Sequence, residues 1–172
     1  MSESLEPHLV WITLGSNIRP EHYLPEAVES LSLLGEVKKC SSVWQSAPVG
    51  DPDQADFCNA ALLLETELEL DELRHSLRMV ETQLDRVRDP DNKNAARTID
   101  LDIAFFNSFI VETSEITIPD PEIANRPFLA VPLAELTPDY VHPLLKVSLK
   151  ELAERAPDAI LLKRRDDISL PQ

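Results

Sequence analysis

Glycine is nearly absent. The chain of 172 residues carries only Gly15, Gly35 and Gly50. No two of them have the spacing of a GxGxxG or Walker-type loop, which excludes Rossmann and P-loop nucleotide binding. Any nucleotide is therefore held without a glycine cradle. Cysteine is equally scarce: Cys40 and Cys58 form no CxxC and have no partner histidine nearby, so they read as reduced core thiols of a cytosolic protein. Bases are few, 16 Lys+Arg against 31 Asp+Glu, and the formal net charge is −15. Such a surface repels phosphate backbones and anionic lipids, which argues against a nucleic-acid or membrane binder. Long apolar runs are missing as well. The longest uncharged stretch, residues 7–18, falls well short of the roughly 20 residues of a membrane span. The acidic start, residues 1–6, lacks the basic n-region of a secretory signal.

What is present suits one globular domain over residues 1–172, with a frayed, flexible tail from about 157 to 172. Residues 9–14 read as a strand, and Pro25 opens a helix with Ala27, Val28, Leu31 and Leu34 at helical spacing, closed by Gly35 as a C′ residue. A second strand is predicted over 37–45, a turn at 47–50, a polar loop at 51–56 and a third strand at 57–66. A second helix starts with Asp71 as N-cap and lines up Leu73, Leu77, Val80 and Leu84. After a polar loop at 89–94, a fourth strand is predicted over 98–106, then short extended pieces and helices near 127–136 and 149–155. The order β-α-β-β-α-β is the ferredoxin-like α+β pattern, helices on one face of the sheet, followed by a C-terminal extension.

The sharpest chemical signal is Arg97-Thr98-Ile99-Asp100-Leu101-Asp102-Ile103. On a strand Asp100 and Asp102 share one face, while Ile99, Leu101, Ile103 and Phe105 share the other and form the core. Two adjacent carboxylates repel unless a cation sits between them, and hard oxygens of this kind suit Mg²⁺. A lone DxD is more often only an exposed polar strand face. A second signal tips the balance. Between residues 74 and 97 stand six bases (Arg74, Arg78, Arg86, Arg88, Lys93, Arg97) against four acids, a local positive excess in a strongly negative chain. Arginine forks beside paired carboxylates are what a nucleoside triphosphate with Mg²⁺ requires. The third signal is Phe57-Cys58-Asn59, where a ring and an amide alternate onto one face, able to stack on and hydrogen-bond a flat heterocycle, or to serve as a core Phe with an edge Asn. The loop from Asp89 fails as an EF-hand, with Lys93 at a ligand position and Asn94 where the glycine belongs. His8, His22, His75 and His142 are scattered and read as surface residues.

Taken together, Leu14-Gly15-Ser16-Asn17, Ser46-Ala47-Pro48-Val49-Gly50, Phe57-x-Asn59-Ala60, Glu81-x4-Arg86-Val87-Arg88, the Arg97–Asp102 run and Asn125-Arg126-x-Phe128 resemble the 6-hydroxymethyl-7,8-dihydropterin pyrophosphokinases of folate biosynthesis, a ferredoxin-like α+β family. The resemblance implies an enzyme that moves pyrophosphate from ATP, its co-substrate, to the pterin hydroxymethyl oxygen and releases AMP. It implies two Mg²⁺ on Asp100 and Asp102, with Arg86 and Arg97 joining them as the catalytic set. ATP would be contacted by Glu81, Arg86, Arg88, Arg97, Ile103, Thr117 and Arg126. The pterin would lie between Phe57 and Phe128, read by Asn59 and by backbone near Ser46 and Val49. A cytoplasmic monomer binding only small molecules is expected. The chain departs from the family pattern in Asn94-Ala95-Ala96 before Arg97 with a loop one residue longer, in Asp120-Pro121 and in Glu115; all three fall around the nucleotide. A family member kept as a pterin- or nucleotide-binding regulatory protein is the alternative. A ferredoxin-like RNA-binding module lacks the aromatic signature and has the wrong charge.

Overall fold

Two long strands divide the interior in two. In the computed structural model, which describes residues 6–50 and 52–171, β1 (His8–Ser16) pairs antiparallel with β4 (Phe57–Thr66) along its whole length, from His8 opposite Thr66 to Ser16 opposite Cys58. Residues 1–5 of the acidic start and Asp51 of the expected 51–56 loop lie outside the described residues. Alternation sends Val10, Ile12, Leu14, Leu62 and Leu64 to one face and Trp11 and Ala61 to the other. α1 (Pro20–Leu31) and α2 (Leu70–Gln83) both cover the first face, where Leu24, Val28, Leu73 and Leu77 are buried. On the far side of β1 lies β5 (Asp100–Phe106). Across β4 lie β2 (Glu36–Cys40) and β3 (Trp44–Ser46). With these two counted as one strand, the unit is β-α-β-β-α-β and ferredoxin-like.

The strand expected at 37–45 is in fact two. Between Cys40, opposite Leu62, and Trp44, opposite Asn59, the chain gains one residue on β4. The Ser41 hydroxyl accepts from the Ala61 N–H (2.8 Å) while the Ser41 N–H donates to the Ala61 carbonyl (2.9 Å), so a side chain takes over part of the ladder. A similar slip interrupts β5. Trp11 faces Phe105 but Ile12 faces Ile103, leaving Ala104 as the extra residue. Leu101 and Ile103 lie in the first core as expected, but Phe105 is turned into the second core and Phe106 returns to the first.

The extension covers the second face. A two-stranded hairpin, β6 (Val111–Glu112) and β7 (Thr117–Ile118), leads to α3 (Pro127–Leu136) and α4 (Leu149–Arg155), which bury Leu133 and Leu149 against Trp11 and Phe105. Other boundaries move. α1 begins five residues before Pro25, at Pro20, which suits the first helical turn; Pro25 forgoes one hydrogen bond, at the exposed Glu21. Gly35 caps nothing. It is needed because a Cβ there would lie 2.2 Å from the Glu65 carbonyl oxygen. Glu69, not Asp71, occupies the cap position of α2, and Asp71 and Glu72 fill the first turn, where acids suit the helix dipole. The expected frayed tail is also corrected: β8 (Lys163–Arg164) pairs with β3, and Ile168 is buried in the first core. His142 is no surface residue. It is 4% exposed, its Nδ1 accepts from the Leu144 and Leu145 N–H groups, and burial lowers its pKa.

Candidate active site

The register of β1 sets the floor of the site. Thr13 stands opposite Asp102, and Gly15 stands between Asp100 on one side and Asn59 on the other. These residues share the second face at the end of the sheet where the second core leaves an open cleft of about 850 Å³. Gly15 keeps that floor low: a Cβ there would come within 3.3 Å of Asn59 Oδ1. Ser46, Val49, Phe57, Asn59 and Phe128 line the cleft together with Arg97, Arg126, Asp100 and Asp102. The structure thus gathers nine of the sequence-predicted residues around one space. The Asn59 amide donates to Ser46 Oγ (2.8 Å), leaving its oxygen for a ligand. Each aromatic wall carries a guanidinium, Arg97 at 5.7 Å from the Phe57 ring centre and Arg126 at 5.8 Å from that of Phe128. Glu135 of α3 accepts from the Ser42 N–H and from Trp44 Nε1, which ties the helix bearing Phe128 to the β2–β3 segment.

A second cleft of about 750 Å³ opens on the other side of Asp102 and Asp120, which line both. Ile103 and Thr117 lie here, with Leu77, Ile116 and Pro121 supplying apolar surface. Glu115 occupies its rim, paired with Arg74 at 3.0 Å. Asp120 is held by its Oδ1, which accepts from the Glu122 N–H (2.9 Å), and burial raises its pKa. An acid therefore stands at the junction of the two clefts.

Three predicted residues line neither cleft. Glu81 is 1% exposed and lies beneath the site as a hub: it accepts from Arg78 (2.7 Å), Arg88 (2.9 Å), Arg86 (3.1 Å) and the Leu101 N–H (3.0 Å). Arg86, with 8% of its side chain exposed, also donates to the Ile99 carbonyl (2.8 Å) and Asp100 (3.2 Å), while its Nε is buried without a partner among the described residues. Arg88 is anchored by Glu81 and otherwise half exposed. Arg97 donates to the loop carbonyls of Lys93 and Ala95 and lies 3.5 Å from Asp100. Sequence reasoning missed Asn17, whose Oδ1 accepts from the Arg97 N–H (2.8 Å) and whose amide holds Gln54 and Ala55. It also left Arg78 without a role, although the i, i+3 spacing to Glu81 is visible in the sequence.

The carboxylate pair fits a hard cation. Asp102 opens to the cleft, with 46% of its side chain accessible, yet its nearest positive charge is Arg78 at 3.9 Å. Desolvation and the charge of Asp100 push its pKa up to about 7. A carboxylate so short of countercharge suits a cation. No cluster of three metal-ligating side chains forms among the described residues, but Mg²⁺ takes one or two carboxylates and fills its shell from phosphates and water.

Comparison with known proteins identifies the family. The family described as 7,8-dihydro-6-hydroxymethylpterin-pyrophosphokinase (HPPK) matches residues 11–138. The chain belongs to this family. It is 36% identical over 151 residues to the 2-amino-4-hydroxy-6-hydroxymethyldihydropteridine pyrophosphokinase of Synechocystis, covering 86% of this chain and 76% of that protein. The Bacillus subtilis enzyme of the same name is 39% identical over 132 residues, covering 75% and 78%. The "folic acid synthesis protein fol1" of Pneumocystis carinii is 33% identical over 157 residues, but the chain spans only 21% of its length. Among solved structures, Plasmodium falciparum HPPK-DHPS with pteroate superposes with a TM-score of 0.70 over 90% of this chain and 43% of that one. At 14% identity that likeness shows the fold alone. The family match ends at residue 138, so α4, β8 and the tail packed on β3 lie outside it.

Proposed function

We infer that the chain transfers pyrophosphate from ATP to 6-hydroxymethyl-7,8-dihydropterin, releasing AMP, as a step of folate biosynthesis. One observation carries this reading: two aromatic walls, a strand amide, two same-face carboxylates and two arginines border a single cleft. The pterin lies between Phe57 and Phe128, with its polar edge on Asn59 and backbone near Ser46 and Val49. The second cleft takes the nucleoside, against Ile103 and Thr117, and the phosphates cross the junction at Asp102. The pterin hydroxymethyl oxygen forms a bond to the β-phosphorus, the bridging oxygen leaves with AMP, and the hydroxyl proton is lost. Such a transfer asks for alignment and charge neutralisation more than for a strong base. Arg97 and Arg126, already poised over the two rings, orient phosphate oxygens; Arg86 and Arg88 reach them from the Glu81 hub. Asp100 and Asp102 hold two Mg²⁺, which supply neutralisation of phosphate charge when bound.

The whole of residues 1–172 serves as one catalytic domain, a cytoplasmic monomer with small-molecule partners and no nucleic acid. A second reading, a pterin-binding regulator without turnover, is favoured only by the acids Asp120 and Glu115 on the nucleotide side. Purified protein with Mg²⁺, ATP and the hydroxymethyl pterin separates the two. AMP and pterin pyrophosphate formed in equal amounts support the enzyme; tight pterin binding without AMP supports the regulator.

A further inference from the structure

The segment after residue 162 lies outside the stretch that carries the family match, and yet it is bonded to the strand that borders the pterin side. Lys163 and Arg164 pair with Gln45 and Trp44. The Arg165 N–H then donates to the Val43 carbonyl (2.8 Å), and Ile168 buries itself in the first core, which fixes the segment at its far end. Asp167 grips the Arg165 guanidinium through both carboxylate oxygens, at 2.8 Å each. So held, Arg165 Nη1 donates to Gln45 Oε1 (3.1 Å) and lies 3.6 Å from Cys58 Sγ. Accepting through its oxygen leaves the Gln45 amide only its nitrogen to present, and that nitrogen donates to Asp56 (2.9 Å). Asp56 immediately precedes Phe57, and Gln45 lies between Trp44, opposite Asn59, and Ser46, opposite Phe57.

We propose that Arg165 is a positioning residue for the pterin: through Gln45 and Asp56 it sets the start of β4 and the edge strand β3, and with them Phe57, Asn59 and Ser46. This rests on the pterin assignment above. Its effect falls on the pterin side, because the relay reaches Phe57, Asn59 and Ser46 and touches no residue lining the second cleft.

Arg165→Ala and Gln45→Ala are each expected to weaken pterin binding in calorimetry about fivefold, the loss of one hydrogen bond's net worth. Mg-ATP affinity and kcat should stay within about twofold. The double variant should be no worse than either single change, since both break one relay. Arg165→Lys, which keeps a donor toward Gln45 but loses the fork to Asp167, should recover part of the loss. Amide hydrogen exchange at residues 45–46 and 57–59 should quicken in both alanine variants, with or without ligand. Wild-type protein that binds no pterin overturns the functional reading and the ligand role of Arg165 together. Wild-type pterin binding that neither variant weakens overturns the relay alone, as do equal losses for both ligands or additive losses in the double variant.

Discussion

The two clefts that meet at Asp102 and Asp120 are built by different means. On the pterin side, Gly15, Asn59 and Asp100 sit side by side on paired strands, and Phe128 comes from the first turn of a helix tied to the β2–β3 segment. On the nucleotide side, Thr117 and Glu115 come from a short hairpin, Pro121 from the loop after it, and the arginines are already engaged by Glu81 and Glu115. The first cleft offers a formed shape. The second offers charges that must exchange carboxylate partners for phosphate. Under the proposed assignment of the two clefts, specificity for the flat ring is a matter of preorganisation, while hold on the nucleotide is a balance of countercharges.

The largest break in that contrast comes where the clefts share a wall. Asp100→Asn or Asp102→Asn should abolish turnover, a loss of about a thousandfold on the scale of removing one preorganised charge-stabilising group. The metal-free Asp102→Asn protein should meanwhile melt at the same temperature or higher, whereas Asp100→Asn gives up the ion pairs to Arg86 and Arg97 and should melt lower. Asp102 has a pKa raised to about 7, so the folded carboxyl keeps its proton at pH 5 and loses it by pH 8, where its repulsion with Asp100 is unrelieved. Thermal midpoints of Asp102→Asn should therefore exceed those of the wild type more at pH 8 than at pH 5. Full turnover in either variant would falsify the metal assignment.

Phe128→Ala should weaken pterin binding by about 1–3 kcal/mol, by analogy with base–aromatic stacking. Mg-ATP affinity should move much less, and equal losses in calorimetry would instead point to collapse of the shared wall. Asp120→Asn probes the opposite side. The amide keeps the acceptor for the Glu122 N–H and removes the charge. At about 8 Å and an effective dielectric of about 20, one carboxylate–phosphate repulsion is about 2 kcal/mol. Screening by cation and solvent reduces it to about 1 kcal/mol. Mg-ATP should bind about fivefold tighter at low salt, pterin should be unaffected, and the gain should shrink as salt rises. No tightening at low salt would place the phosphates out of reach of Asp120.

The smallest effect lies outside both clefts. Burial keeps His142 neutral, with a pKa below 6.5. The unfolded chain takes up this proton first as pH falls, so the group's contribution to stability is present above pH 6.5 and is lost through and below that value. His142→Asn should flatten the fall in thermal midpoint between pH 7 and pH 5 without changing either affinity; an unchanged slope would show that another group controls it.

The same contrast explains what could be read before the structure. Strand and helix positions were legible because period encodes side: β4 at Phe57–Thr66, α3 at Pro127–Leu136 and α4 at Leu149–Arg155 have the expected bounds. Of the residues bordering the first cleft, Phe57, Asn59, Asp100 and Asp102 followed from that regularity, while Ser46, Val49 and Phe128 were implied only by the family resemblance. Features made by long-range satisfaction were not legible. Glu81 looks like the edge of an apolar stripe, and only its partners beyond the helix, Arg86 and the Leu101 N–H on β5, reveal why a carboxylate is buried there. Tail residues 163–168 carry no period, and their order comes from pairing with an edge strand more than a hundred residues earlier. His142 is buried because Phe105 lies beneath it, and Phe105 faces that way only because of an inserted residue.

That inserted residue, Ala104, gives β5 two separately addressed halves. Without the bulge it forms, the face that presents Asp100 and Asp102 would continue downstream with Ala104 and Phe106, and Phe105 would point toward α1 and α2. With it, Phe105 instead joins Trp11 beneath α3 and α4. The strand behaves like a rod cut and rejoined with a half-turn: the upstream end is set by what the chemistry needs, the downstream end by what the added helical layer needs. Deleting Ala104 would therefore let Phe105 follow Ile103 in regular alternation, opposite Trp11 and Ile12 as they already stand, so the carboxylate pair and the aromatic end would both keep their faces and only the local bend and twist of the bulge would be lost.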